Sequence, residues 1–321
     1  MGGTAVNYIV FDLEWNQGES PKEQELTGLP FEIVEIGAVR LDVERRVTGQ
    51  FTRLIRPQVY HKMHRYTEEL IHLSMEELER DGELFPDVVT EFLDWCGEDP
   101  VFCTWGTLDL TELQRNMEYY GMEPLTEGRP LPFLDVQKLF SLAFEDGKSR
   151  RSLTHAIEQQ GIEADQPFHR ALSDAVYTAR LLQRISPRLL RNISFDAHVT
   201  PQDAAHEVHI VFDTYAKFIS RTFETRDELL GDQEVMSTKC YLCHHNIRRK
   251  VKWFTPNNGR YYLAVANCDR HGFVKYKLRI RSTEDGGFYA VKTAKFIDEA
   301  FYEDLRRLRR TSPRPRGRKN S

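Results

Sequence analysis

The eight residues Tyr8-Ile9-Val10-Phe11-Asp12-Leu13-Glu14-Trp15 constrain this chain more than any other stretch. They read as an apolar strand whose end carries two carboxylates, Asp12 and Glu14. In a strand, residues i and i+2 point to the same face. Both carboxylates therefore project side by side from a core element, where like charges repel and burial penalises each of them. A divalent cation between them relieves that repulsion, so the rest of the chain has to be searched for further ligands.

After this strand the segment 18–30, rich in Gly, Pro and Glu, reads as a loop. Strands are expected over 31–42 and 50–57, joined closely enough to form an antiparallel meander beside the first. Helical periodicity covers 67–80 and 86–96, and a strand over 101–106 runs through Asp109 into a helix over 110–120. A short strand at 132–136 precedes helices reaching 144, over 152–160 and over 169–185. Strands first, then strands alternating with helices, indicate an α/β mixed sheet with helices on both faces.

Three positions answer the search for ligands. Asp109 sits where a strand passes into a helix, the edge at which open α/β sheets place their sites; taken alone it also reads as a helix cap. His169 and Asp174 lie five apart, and both reach one cleft if His169 precedes the helix. Four hard carboxylates with one imidazole suit Mg²⁺ or Mn²⁺ rather than zinc. Two such ions roughly 4 Å apart clamp the attacking and leaving oxygens of a phosphodiester. A histidine at the rim has a pKa suited to taking a proton from water.

The runs Ile-Val-Phe-Asp-Leu-Glu-Trp, Glu-Ile-Val-Glu-Ile-Gly-Ala-Val, Thr-Trp-Gly-Thr-Leu-Asp-Leu and His-x4-Asp, in this order, resemble a DEDDh 3′–5′ exonuclease of ribonuclease H-like fold. The likeness spans about residues 5–190 and is greatest to the group of RNA-trimming and bacterial sporulation-inhibitor exonucleases. It implies that Asp12, Glu14, Asp109 and Asp174 are metal ligands for two Mg²⁺ or Mn²⁺ ions and that His169 is the general base. Position 170, tyrosine in the sister class, is Arg170. Leu13 and Trp15 flank the ligands where the family holds the terminal nucleotide; core packing is the other reading of both. Glu35 lies at the sheet or the metal rim with no role assigned. Asp135 reads as a cap for the following helix, and His155 as structural.

The second half carries a different pattern. Cys240-x2-Cys243 and Cys268-x2-His271, with 24 residues between the pairs, have the spacing of a zinc ribbon. Three thiolates and an imidazole would close a structural Zn²⁺ site, with His244 and His245 competing for the fourth position. Cys96 and Cys103 are expected to pack in the first half. β-like runs at 249–254, 260–266, 273–281 and 288–292 are separated by turn signals at 257–259 and 285–287. A helix is expected over 296–310, and another over 213–229 after a strand at 207–212.

From Lys239 onward there are 21 Lys and Arg against 7 Asp and Glu, a balance of +14, which leaves −19 on the preceding residues. The cations alternate with aromatics such as Trp253, Tyr261, Phe273 and Tyr276. Such a surface suits phosphates and stacked bases; the aromatics also read as the core of a thin ribbon. Four divisions follow: an exonuclease domain over 1–190, a partly structured connector over 191–237, a basic zinc-ribbon-like domain with a terminal helix over 238–310, and a disordered basic tail over 311–321.

No apolar run approaches the roughly 18 residues that cross a bilayer, and the N-terminus lacks a secretory pattern. An odd set of five cysteines fits a reducing, cytoplasmic compartment. The expectation is a metal-dependent 3′–5′ exonuclease that releases nucleoside monophosphates from single-stranded nucleic acid. RNA is slightly favoured over DNA by the family branch. The alternative is a nucleic-acid-binding or regulatory protein that keeps the fold with little or no turnover, and a third reading makes the ribbon a protein-docking module.

Overall fold

Strand β1 (Tyr8–Gln17) lies inside a six-stranded sheet, and each of its faces is claimed by a different set of helices. The computed structural model describes residues 7–196, 198–212, 214–256, 259–283 and 285–312. The chain forms two compact units, one comprising residues up to Glu127 with Leu131–His198, the other Gly128–Pro130 with the residues from Val199 onward. No helix of the described residues is long and apolar enough to cross a membrane.

In the first unit, β1 is followed by α1 (Pro21–Thr27), β2 (Phe31–Leu41), β3 (Val47–Leu54), α2 (Arg65–Ile71), α3 (Met75–Asp81) and α4 (Phe85–Cys96). Then come β4 (Val101–Thr104), α5 (Leu108–Tyr119), β5 (Leu131–Asp135), α6 (Val136–Phe144), α7 (Leu153–Gln159), α8 (Ala171–Arg184) and β6 (Ser194–Asp196). The strand order is β3-β2-β1-β4-β5-β6. β1 to β3 form the antiparallel meander, while β4 runs parallel to β1 and β5 parallel to β4. Short connections permit the first arrangement, and helical crossovers are needed for the second.

Alternation along β1 sorts its side chains. Ile9, Phe11 and Leu13 enter one core with Phe92 of α4 and Leu113 of α5. Val10 enters the other with Ala175, Ala179 and Leu182 of α8. Asp12 and Glu14 share the parity of Val10 and so lie on the face that α8 covers. The helix comes close because Gly37 of β2 stands opposite Asp12. A Cβ on Gly37 would lie 2.0 Å from the Leu172 backbone N, so only glycine fits under this helix end.

Beyond Glu14 the ladder slips. Glu14 pairs with Glu35 but Trp15 with Ile33, a bulge that re-aims the strand end beside the carboxylates. Asn116 of α5, fully buried, holds the backbone of β2 just before the slip. Its Nδ2 donates to Phe31 O at 2.9 Å and its Oδ1 accepts from Ile33 N at 3.1 Å.

Three local expectations need correction. The loop at 18–30 contains α1, started by Ser20 as N-cap with Pro21 behind it and ended by Gly28 at φ 71°. Its seven residues are too short for periodicity to register, although both caps are in the sequence. The helix expected over 67–80 is two helices, because His72 takes a left-handed conformation (φ 53°) and Ser74 opens α3 with a capping box. The helix expected over 213–229 forms only from Arg226, while Ala216–Ile219 is a strand, and the neighbours of that strand explain why.

The second unit contains β7 (Val208–Val211), β8 (Ala216–Ile219), α9 (Arg226–Gly231), β9 (Arg248–Phe254), β10 (Tyr262–Cys268), β11 (Gly272–Ser282), β12 (Phe288–Phe296) and α10 (Glu299–Thr311). Its sheet is antiparallel throughout, in the order β7-β8-β12-β11-β10-β9. β8 pairs with β7 on one side and β12, far away in sequence, on the other. Non-local pairing therefore overrode the local helical pattern. The stretch 191–237, read as a connector, supplies β6 to the first sheet and β7, β8 and α9 to the second unit. The turn at 285–287 has Gly286 at φ 88°; the signal at 257–259 and the tail from 313 extend outside the described residues.

Candidate active site

Three elements converge on the α8 face of β1. β1 supplies Asp12 and Glu14, the first turn of α5 supplies Asp109, and the first turn of α8 supplies Asp174. Glu14, His169 and Asp174 each offer a ligand atom within 4.8 Å of the other two. Asp109 reaches the group from the side, its Oδ1 accepting the Leu13 N–H at 3.3 Å. Leu13 itself stands apart: its side chain is 3% exposed and packs in the opposite core. Trp15, half-buried, tilts against Phe31 at 5.5 Å between ring centroids.

The carboxylates hold their protons tightly. Burial, followed by the charges of Asp109, Glu14, Asp174 and Glu35, pushes Asp12 well above the ordinary carboxylate range. Burial and then Asp174, Glu35 and Asp109 bring Glu14 to about 8, with Arg170 opposing. Burial brings Asp109 to about 7, against hydrogen bonds from its own N–H and that of Leu13. Burial also brings Asp174 to about 6, against the His169 N–H. Crowded acids that each resist ionisation make a site where a divalent cation is strongly favoured. Asp174 Oδ1 supplies a second sign: it is buried and, among the described residues, accepts no hydrogen bond. The donor set is all oxygen and one imidazole, which fits Mg²⁺ or Mn²⁺.

His169 sits just before α8 with φ 62°, a left-handed conformation uncommon outside glycine. Its neighbours hold it there. Its N–H donates to Asp174 Oδ2 at 3.3 Å. Behind it, Tyr177 Oη accepts from Gln166 N at 2.7 Å and donates to Gln166 O at 2.6 Å, while Phe168 stacks on the Tyr177 ring at 4.8 Å. Ahead of it, Arg170 Nη2 and Nε donate to Glu35 Oε1 and Oε2 at 2.9 and 3.1 Å, and the Ala171 N–H adds a third bond at 3.3 Å. The imidazole remains largely exposed, and partial desolvation, followed by the charge of His72, lowers its pKa. A lowered pKa favours the neutral ring, the form able to accept a proton.

Glu35, Tyr177 and His72 were not given roles from the sequence. Glu35 lies in the second quoted run and Arg170 in the fourth, yet two charged residues separated by 135 positions carry no local sign that they pair. Asp135 caps α6 through the Lys138 N–H at 2.9 Å, and His155 lies exposed on α7. Cys96 and Cys103 are buried in the two cores of this unit.

In the second unit, Cys240, Cys243, Cys268 and His271 form one cluster within 4.8 Å. Cys243 Sγ and Cys268 Sγ are 3.7 Å apart, and His271 Nδ1 is 3.4 Å from Cys240 Sγ and 3.5 Å from Cys268 Sγ. Tetrahedral zinc, with Zn–S of about 2.3 Å and Zn–N of about 2.0 Å, implies S···S and S···N edges of about 3.8 and 3.5 Å. The cluster therefore has the size of a zinc site. Against its burial, hydrogen bonds from the Arg270 N–H and from His271 draw the Cys268 thiol down to about 6, favouring the thiolate that a metal requires. His244 and His245 are exposed and outside the cluster; His244 turns left-handed at φ 59° and donates its N–H to Cys240 O, shaping the first knuckle.

A mixed sheet with carboxylates delivered from its central strand and two helix starts defines a ribonuclease H-like nuclease. Residues 9–182 match the RNase T family, described as "Exonuclease", so the chain belongs to this 3′–5′ exonuclease family, with a DEDDh-type domain. The PolC-type DNA polymerase III of Staphylococcus haemolyticus (strain JCSC1435) is 23% identical over 172 residues, which is 54% of this chain and only 11% of the polymerase. The solved nuclease domain of 3′hExo, a DEDDh family member bound to rAMP, aligns at 20% identity and TM-score 0.48, covering 57% of this chain and 93% of that one. E. coli exonuclease I in complex with a 5cy-dA13 oligonucleotide aligns at 15% identity and TM-score 0.44, covering 58% and 42%.

Proposed function

We propose that the protein is a metal-dependent 3′–5′ exonuclease that removes nucleoside monophosphates from single-stranded nucleic acid. The observation that carries this reading is the convergence of Glu14, His169 and Asp174 within 4.8 Å, with Asp174 Oδ1 left without a partner. Asp12, Glu14, Asp109 and Asp174 would hold two Mg²⁺ or Mn²⁺ ions. When bound, such ions stabilise negative charge on the attacking and departing oxygens of a phosphodiester.

The chain's own residues do the rest. Neutral His169, at the exposed rim, takes a proton from the attacking water. The water oxygen bonds to the terminal phosphorus as the bond to the preceding 3′ oxygen breaks, and that oxygen takes a proton from solvent, releasing a nucleoside 5′-monophosphate and a chain with a new 3′ hydroxyl. The clamp formed by Tyr177, Phe168 and the Glu35–Arg170 pair keeps the imidazole in place without covering it. Trp15 at the strand end is available to the terminal nucleotide. RNA ahead of DNA follows from the resemblance to RNA-trimming exonucleases.

Cys240, Cys243, Cys268 and His271 hold a structural Zn²⁺ in the second unit, a reading supported by separations that match tetrahedral zinc. An odd number of cysteines, three of them gathered at the zinc cluster, supports a reducing, cytoplasmic setting. The test is Mn²⁺-dependent shortening of 5′-labelled RNA, DNA and duplex oligonucleotides by the full chain and by Asp12→Ala. A ladder receding from the 3′ end, abolished in the variant, is expected. Internal cuts would overturn the exonuclease reading, and binding without shortening would favour the non-catalytic alternative.

A further inference from the structure

The second sheet has two faces, and they are covered differently. One carries Tyr276, Leu278 and Ala290 and is packed against Leu229, Val235 and Tyr241. On the other, α10 covers the β9–β10 end, where Leu305 meets Val251, Leu263 and Val265, and the start of β11, where Tyr302 stacks on Phe273 at 4.2 Å. Beyond it this face continues over the rest of β11 and β12 toward β8. Register fixes what it displays: Lys275 stands opposite Lys295, Lys277 opposite Thr293, Arg279 opposite Val291 and Arg281 opposite Tyr289.

Every second residue of β11 from 275 to 281 is therefore a cation on one face, a row spanning roughly 20 Å at the strand rise of about 3.4 Å per residue. Arg279, Arg281 and Lys295 are exposed and Lys277 is half-buried. Among the described residues, none of these four forms an ion pair with a carboxylate. Elsewhere in this unit cations are matched, as Arg221 is by Glu207 at 2.9 Å and Asp232 at 2.8 Å. Like charges set side by side on a strand repel each other, and among the described residues no carboxylate pairs with Lys277, Arg279, Arg281 or Lys295 to offset that cost. Aromatic rings border the row: Lys277 Nζ lies 4.3 Å from the Tyr261 ring centre, and Lys275 Nζ 4.6 Å from that of Phe301, which is 43% exposed.

We propose that this β11–β12 face is a docking track for single-stranded nucleic acid, with Lys277, Arg279, Arg281 and Lys295 on phosphates and the Tyr261 and Phe301 rings on bases. These four cations, unpaired with any carboxylate among the described residues, select a polyanion, and the bordering rings select one with flat, stackable groups. An acidic protein partner would satisfy the charges alone. The proposal builds on the reading of the chain as acting on nucleic acid, but its test measures binding and involves no turnover.

The experiment uses the full chain carrying Asp12→Asn, so that the probe stays intact, and reads anisotropy of a 5′-labelled single-stranded 20-mer RNA across a salt series. Adding Lys277→Ala, Arg279→Ala and Arg281→Ala together should weaken binding at least tenfold. The slope of log affinity against log salt should fall by about 2, from about 0.7 per lost phosphate contact. Removing three exposed cations of the first unit instead (Arg46→Ala, Arg80→Ala, Arg184→Ala) should change affinity less than twofold. Retained zinc and an unchanged circular dichroism spectrum exclude misfolding of the triple variant; should it misfold, Arg279→Glu alone replaces it, with the same reading. Unchanged RNA affinity, an equal loss in both triple variants, or equal binding of labelled poly-glutamate would overturn the proposal. Oligonucleotide shortening, assayed separately without Asp12→Asn, reports on the exonuclease reading by itself.

Discussion

Gly37→Ala is the smallest change that should disable the carboxylate site without touching a carboxylate. The added methyl would lie 2.0 Å from Leu172 N, 2.2 Å from Ala171 C and 2.4 Å from Leu172 Cα, all backbone atoms at the start of α8. Carbon contacts settle at about 3.5–4.0 Å, so the helix start must move outward by about 1.5 Å. That movement carries Asp174 and strains the His169 N–H bond to it. It also pulls the Ala171 N–H from Glu35. Overpacking of this kind costs about 1–3 kcal/mol, and each kcal/mol lowers Tm by roughly 2–4 °C in a unit of this size. The rate effect should be larger in proportion, because a displacement of about 1 Å can cost about 10²-fold. The assay is Mn²⁺-dependent kcat/KM on a 5′-labelled oligonucleotide well below the variant's Tm. Gly231→Ala, where an added Cβ meets nothing within 4 Å, is the control and should be neutral. A Gly37→Ala protein with undiminished kcat/KM would refute the close-approach argument.

Three further outcomes are expected. Arg170→Ala strands Glu35, which is 1% exposed, and should destabilise the first unit by about 3 kcal/mol, while pairing it with Glu35→Met should recover much of that loss in urea melts. In metal-free protein, Glu14, Asp109 and Asp174 have folded pKa values of about 8, 7 and 6, above their ordinary 4.5, 3.8 and 3.8. Between pH 4 and 8 the native state binds more protons at these groups than the unfolded one, so their contribution to stability falls as pH rises. Scanning fluorimetry should show a smaller pH-dependent loss in Asp174→Asn than in the parent; an equal loss would contradict the assignment. Cys240→Ser should lower bound zinc, measured by elemental analysis, from one equivalent and expose the knuckles to proteolysis, whereas His244→Ala should leave zinc content unchanged.

How much of this could be read from the chain depends on the range of the interaction involved. β1 was legible because its apolar run and its Asp12/Glu14 parity are properties of consecutive residues. The same holds for the two Cys knuckles and for the cap at Asp135. α1 and the break at His72 were missed because a cap or a left-handed residue can end a helix within one turn, inside the length over which periodicity is counted. β8 was misread because its conformation is set by β7 and β12, and nothing local in 216–219 announces those partners.

The site divides along the same line. By itself the sequence determined the chemical inventory: hard carboxylates, one imidazole, three thiols with a histidine, and a basic second half. Only the tertiary structure decided their geometry. It brought α8 down onto Gly37, paired Glu35 with Arg170 across 135 residues, and turned Leu13 into the core while Asp12 and Glu14 faced the cleft. It also decided which cations of the second unit share an open face. Composition counts charges, but register between distant strands determines which of them stand together and whether any acid answers them.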